Sequence, residues 1–207
     1  MSLKLKVCGM RDSSNIAELA GLKPDFMGFI FYPPSKRFAG ELDEKALAEL
    51  GNEIKRVGVF VNAPVNEIIE KVKKYRLDAV QLHGDEMPEV CSILKENGLT
   101  VIKVFSVADT LPENLNEYKP YVDYFLFDTK TEGYGGSGKK FSWEVLKDYD
   151  NEIPLILSGG IGPDSADEIR NLKGLNLYGV DINSRFETEP GLKDVKLVED
   201  FKKKLLV

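Results

Sequence analysis

The stretch VGVFVNAPVNEIIEKVKKYRLDAVQLHG, running from Val57 to Gly84, reads as strand, helix, strand. Val57 to Val61 is a short β-branched and aromatic run; Val65, Ile68, Ile69 and Val72 recur at helical spacing; Ala79 to Leu82 is a second apolar run. Two such strands joined by a helical crossover lie parallel. The unit repeats in both directions. Further strand-like runs occur at Leu5 to Val7, Phe26 to Phe31, Val101 to Phe105, Tyr124 to Phe127, Pro154 to Leu157 and Leu177 to Ile182. Helical spacing recurs at Ile16/Leu19/Ala20, Ala46/Leu47/Leu50, Val90/Ile93/Leu94, Leu111/Leu115/Tyr118, Trp143/Leu146, Ala166/Ile169 and Val195/Val198/Phe201/Leu205. Punctuation agrees: Ser142 is placed to cap the sixth helix, Pro163-Asp164 to open the seventh, and Gly51 and Gly98 to close the second and fourth. Eight alternating units predict an α/β fold, a single-domain (β/α)8 TIM barrel over residues 1–207, with an open doubly wound sheet as the rival. At about 26 residues per unit the loops must be short.

Composition narrows the function. The chain has 207 residues, 43% of them hydrophobic, enough for a substantial core. No run reaches a membrane span, and Met1-Ser2-Leu3-Lys4 leads into a strand, so a cytoplasmic protein is expected. Two distant cysteines, Cys8 and Cys91, make neither a disulfide framework nor a metal cluster, and a single His excludes a multi-histidine metal site. A net charge of −6 argues against nucleic acid or an anionic membrane as partner, so an anionic ligand must be held locally.

In a barrel of this kind the chemistry sits at the C-terminal strand ends. The first strand ends Val7-Cys8-Gly9, the second leads to Pro33-Pro34-Ser35-Lys36-Arg37, the fourth ends Gln81-Leu82-His83-Gly84 and the sixth ends Phe127-Asp128-Thr129. Lys130 to Lys140 is glycine-rich and reads as a mobile lid. Ser158-Gly159-Gly160-Ile161-Gly162 and Asp181-Ile182-Asn183-Ser184 follow the last two strands, and close backbone approach with a helix start makes them a phosphate cradle. Each residue also has an ordinary reading. Cys8 could be a packed core thiol, as Cys91 in the fourth helix is; Asp128 could cap a loop; His83 could be structural. Their convergence on one rim favours a site.

The set Lys6-Val-Cys-Gly-Met10, Ser35-Lys-Arg37, Val80-Gln-Leu-His-Gly84, Leu126-Phe-Asp-Thr129, Gly135-Gly-Ser-Gly-Lys139, Leu157-Ser-Gly-Gly160 and Gly179-Val-Asp-Ile-Asn-Ser184 resembles the phosphoribosylanthranilate isomerase family of tryptophan biosynthesis along the whole chain. The resemblance implies an Amadori rearrangement of N-(5-phosphoribosyl)anthranilate to 1-(2-carboxyphenylamino)-1-deoxyribulose 5-phosphate, with no cofactor, no metal and a small phosphorylated substrate. It implies that Asp128 protonates the ribose ring oxygen and Cys8 removes the C2 proton. Cys8 then needs an electropositive pocket, and Asp128 one that retains its proton. Arg37 would meet the anthranilate carboxylate, Gln81 and His83 would line the sugar and anthranilate side, and Gly136, Ser137, Gly159, Gly160, Asp181, Asn183 and Ser184 would face the phosphate.

Departures are local. Arg185 stands where the family commonly has glycine and could itself help to hold the phosphate; Ser142 replaces a usual Asp and Ser158 a common Ala. Another sugar-phosphate isomerase or epimerase, or a non-catalytic phosphate-ligand-binding barrel, are the competing functions. A monomer and a homodimer are both open.

Overall fold

A computed structural model describes residues 2–129 and 142–206 of the chain. Eight parallel strands close in sequence order into a barrel: β1 (Lys4–Cys8), β2 (Phe26–Ile30), β3 (Lys55–Phe60), β4 (Ala79–Leu82), β5 (Thr100–Val107), β6 (Tyr124–Thr129), β7 (Leu155–Leu157) and β8 (Leu177–Ile182). Around it lie α1 (Ser13–Ala20), α2 (Glu44–Ala48), α3 (Val65–Tyr75), α4 (Pro88–Glu96), α5 (Leu115–Tyr118), α6 (Ala166–Arg170) and α7 (Val195–Leu205). Between β8 and α7 an antiparallel hairpin, β9 (Glu187–Glu189) and β10 (Leu192–Lys193), folds back. Among the described residues no helix is long and apolar enough to cross a membrane.

The period of two along each strand sorts its side chains. Leu5, Val7, Met27, Phe29, Val80, Leu82, Phe125, Phe127, Val180 and Ile182 pack outward with the helices. Phe26, Val57, Ala79, Ile102, Val104, Leu126 and Ile156 form a second cluster inside the barrel. The inward positions nearest the C-terminal ends, Cys8, Gln81, Asp128, Ser158 and Asp181, are polar or reactive. Helix caps set the short connections: Asp12 accepts from the Asn15 N–H at 2.9 Å and Asp194 from the Leu197 N–H at 3.0 Å. Gly98, at φ +78°, ends α4 with the Leu99 N–H bonded back to the Leu94 carbonyl.

Three expectations give way. Trp143–Asp148 is a 3-10 helix, since a contact three residues apart suits that period as well as the α one. Ser142 makes no side-chain cap bond there. Helix α5 starts at Leu115 rather than Leu111, because Pro112 disfavours the α conformation in the residue before it. The β9–β10 hairpin was not anticipated, although Pro190-Gly191, with Gly191 at φ +88°, is a turn signal.

The loops after β3 and β4 are pinned by a buried charge. Glu86 accepts from the N–H groups of Asn62 (2.8 Å) and Gly84 (3.0 Å), and Lys103, pointing outward from β5, donates to Glu86 (3.1 Å) and to the Gly84 carbonyl (2.6 Å). This clamp holds the segment that carries His83. Glu86→Ala is expected to cost about 3–5 kcal/mol in urea unfolding, because Lys103 is left buried without its counter-charge. A loss below about 1 kcal/mol, the range of exposed pairs, would show that the clamp does not bear on the fold.

Candidate active site

Cys8 ends β1 and is buried, and Lys6 lies two residues below it on the same inward face. Asp181 of β8 is the register partner of Lys6, and the Lys6 ammonium donates to its carboxylate at 2.9 Å. On the other side Gly28 of β2 is the register partner of Cys8. A Cβ at Gly28 would fall 2.8 Å from Cys8 Sγ and 3.1 Å from Lys6 Nζ, so glycine is what leaves room for both groups.

Across the mouth, Asp128 of β6 faces His83 at the end of β4, with His83 Nε2 3.5 Å from Asp128 Oδ2. Gln81 Nε2 lies 3.2 Å from His83 Nδ1, an arrangement in which the amide donates and Nε2 carries the imidazole proton. Gln81 Oε1 is buried without a partner among the described residues.

Burial dominates the acid–base behaviour of the mouth. It pushes Asp128 up to about 6 against the opposing Thr129 N–H, with Asp181 adding to the rise and Lys6 working against it. It pulls His83 down to about 4, helped by Lys6 and Lys103, so the imidazole is neutral at physiological pH. It also raises Cys8; Lys6 and Lys193 oppose that rise and Asp181 adds to it. The cations expected around Cys8 are therefore present, and desolvation outweighs them. Burial disfavours the Lys6 ammonium too, but Asp181 and Cys8 override it and its pKa rises.

The phosphate-facing expectations divide. Gly159 and Gly160 adopt φ +81° and +66°, and a Cβ on Gly159 would meet Thr129 Oγ1 at 2.4 Å and Asp128 Oδ1 at 3.1 Å. The loop after β7 thus packs directly on the Asp128 strand end. The helix it leads to, α6, has only five residues, too short to contribute much dipole. Arg185 Nη1 donates to the Gly160 carbonyl at 3.1 Å and its guanidinium lies over Gly162, bringing a cation to this loop. Asp181 turns its carboxylate into the barrel and pairs it with Lys6, which leaves only its backbone for a phosphate. Asn183 uses its amide oxygen to accept from Lys193 at 2.8 Å, and Ser184 opens the 3-10 turn Ser184–Phe186. Gly136, Ser137 and the proposed lid lie outside the described residues.

Arg37 is brought to the rim, though not as a free carboxylate fork. Its Nε donates to both Glu187 oxygens at 2.9 Å and its Nη2 to Oε2 at 2.7 Å, while the buried Lys193 ammonium pairs with the same carboxylate. Arg37 and Lys193 hold Glu187 below its ordinary range although burial pushes it up. Gly9, at φ +79°, lets the chain pass under this network: a Cβ there would lie 2.8 Å from Arg37 Cδ and from Asn183 Oδ1. Glu187 and Lys193 are the site residues that sequence reasoning missed, because they follow the last barrel strand where no period places them. Lys6 was findable, two residues before Cys8 on an alternating strand. Among the described residues no group of three or more His, Cys, Asp and Glu is arranged to hold a metal ion.

Comparison with known proteins adds an independent line. Residues 5–204 match the sequence profile of a family described as N-(5'-phosphoribosyl)anthranilate (PRA) isomerase. A protein of Parabacteroides distasonis named N-(5'-phosphoribosyl)anthranilate isomerase is 47% identical over 205 residues, covering 98% of this chain and 93% of that one. The crystal structure of phosphoribosyl anthranilate isomerase from Thermotoga maritima superposes with a TM-score of 0.84 at 32% identity, covering 98% of both chains. A phosphoribosyl anthranilate isomerase solved in complex with reduced 1-(o-carboxyphenylamino)-1-deoxyribulose 5-phosphate superposes with a TM-score of 0.80 at 28% identity over 98% of both chains.

The raised pKa of Asp128 carries a stability consequence. A carboxyl that binds its proton more tightly in the folded state favours folding at acid pH, and that contribution is lost as pH rises from about 4 through the native value near 6. Above this window the ionised group weakens the native state by about 2–3 kcal/mol. Asp128→Asn is therefore expected to raise the thermal midpoint at mildly alkaline pH and to leave it unchanged below the window. Equal midpoints for both chains at every pH would mean that Asp128 is not desolvated.

Proposed function

The chain belongs to the N-(5'-phosphoribosyl)anthranilate isomerase family, and from that premise we propose that it isomerises the aminoaldose by proton transfer between Asp128, the substrate and Cys8. Asp128 gives a proton to the ribose ring oxygen as the C1–O bond opens to the iminium. Cys8 then takes the C2 proton, leaving the enolamine that tautomerises to the ketose. The observation that carries this reading is the convergence of a buried thiol from β1 and a largely buried carboxyl from β6 on one mouth with β7 and β8 between them. A general acid works best with a pKa near the working pH, and the value of about 6 for Asp128 meets that condition.

The remaining groups bind and orient. Arg37, held by Glu187 through Nε and Nη2, keeps Nη1 for the anthranilate carboxylate. Neutral His83 and Gln81 line the side of the mouth next to Asp128. The phosphate is taken by the backbone at Gly159, Gly160, Asn183 and Ser184, with Arg185 beside them. Removal of the C2 proton needs no metal or redox group, only a base on the correct face of the substrate.

At neutral pH the free chain holds most of Cys8 as thiol and most of Asp128 as carboxylate, the reverse of the roles just assigned. The productive thiolate–acid form is then a minority species, and the rate follows a bell whose limbs belong to the pair. The ratio kcat/KM is expected to rise through about pH 6 and to fall only in the alkaline range of Cys8. Fluorescence-monitored turnover of freshly generated phosphoribosylanthranilate tests the assignment. Cys8→Ser and Asp128→Asn are each expected to lower kcat by about 10²–10⁴-fold while a product analogue still binds. Unchanged turnover in either variant removes that residue from the mechanism, and no turnover in the natural chain favours a binding barrel. Arg37→Leu is expected to act mainly on KM.

A further inference from the structure

The inward face of β1 carries one ionisable group with no assigned role. Lys6 is buried to 1% exposure and Asp181 to 6%, directly above the apolar cluster that fills the barrel interior. A buried ion pair seldom stabilises a fold more than apolar side chains of the same shape would, so its presence there calls for another reason. Its location supplies one. Gly28 leaves a small space that Cys8 Sγ and Lys6 Nζ both border, each closer than van der Waals contact to where a Cβ would stand. Asp181 holds the Lys6 ammonium from the β8 side at the same register level.

Building on the assignment of Cys8 as the base, we propose that the Lys6–Asp181 pair sets the ionisation of Cys8, with Lys6 as a positioning residue that stabilises the thiolate and Asp181 as the counter-charge that limits it. The other charged or titratable groups facing this space are few. Lys193 of β10 is bound to Glu187 and Asn183; Arg37, from the loop after β2, is bound to Glu187; Asp128 of β6 and neutral His83 of β4 stand across the mouth. Lys6 is the cation that weighs most on Cys8, ahead of Lys193, and Asp181 is the anion that opposes it. The two members of one ion pair therefore act on the thiol with opposite sign.

The test is a thiolate titration by ultraviolet absorbance, with the Cys8→Ser counterpart of each variant subtracted to isolate Cys8. The Cys8 pKa is expected to rise in the order Asp181→Asn, natural chain, Lys6→Met/Asp181→Asn, Lys6→Met. For Lys6→Met the ionised fraction of Cys8 at neutral pH is expected to fall about tenfold, and the alkaline limb of kcat/KM to move up with the titration. If Lys6→Met alone does not fold because Asp181 is left buried and unpaired, the charge-neutral double variant carries the test with a Cys8 pKa above that of the natural chain. Shifts of the same sign in both single variants, or no upward shift in the double variant, would overturn the proposal. Failure of the base assignment reads differently: Cys8→Ser would keep its turnover while the order of the titrations stood.

Discussion

Everything at the mouth depends on parallel closure with alternate side chains turned inward. A strand buried on both faces has no solvent side, so every second residue must either join the inner packing or face its opening. Below, Phe26, Val57, Ala79, Ile102, Leu126 and Ile156 take the first course. Above them Lys6, Cys8, Gln81, Asp128 and Asp181 take the second, and sheet register decides which meet: Lys6 with Asp181, and Cys8 with the space left by Gly28. A one-residue slip of β1 would turn Cys8 and Lys6 out among the helices and bring Val7 to the mouth.

The same closure explains the electrostatics. Desolvation is the largest influence on Cys8, Asp128 and His83 alike, yet it acts with opposite consequences, leaving the thiol and carboxyl protonated more readily and the imidazole less so. Fixed charges then adjust each group. Farther out, Glu187 gathers Arg37 and Lys193, and Lys193 reaches Asn183, so that the loops after β2 and β8 and the β9–β10 hairpin are tied by one partly buried network. That network lets an arginine stand at the rim in a fixed orientation, which a solvated side chain would not keep.

Much of this was legible beforehand, for physical reasons. The apolar runs Val57–Val61 and Ala79–Leu82 and the helical spacing between them state a parallel unit, and eight such units leave few closed topologies. Strand-end position marked out Cys8, His83 and Asp128 without any alignment. What could not be read is whatever depends on distant partners. Arg37 looks like a free fork until Glu187, 150 residues away, is seen on it. Asp181 looks like part of the phosphate cradle until register places its side chain beside Lys6. The Trp143–Asp148 helix was visible as a helix but not as a 3-10 one, because an apolar contact every three residues does not separate the two periods.

The central claim is that the mouth is dry enough to raise the Asp128 carboxyl to about 6, so that a minority of it keeps its proton at neutral pH. Its most direct test is a carbon-13 NMR titration of the Asp128 side-chain carboxyl in the folded protein, assigned by loss of the signal in Asp128→Asn. A midpoint near 6 is the predicted result. A midpoint at the ordinary aspartate value of about 4 would contradict it, and would leave Asp128 too strong an acid to hold the proton that ring opening requires.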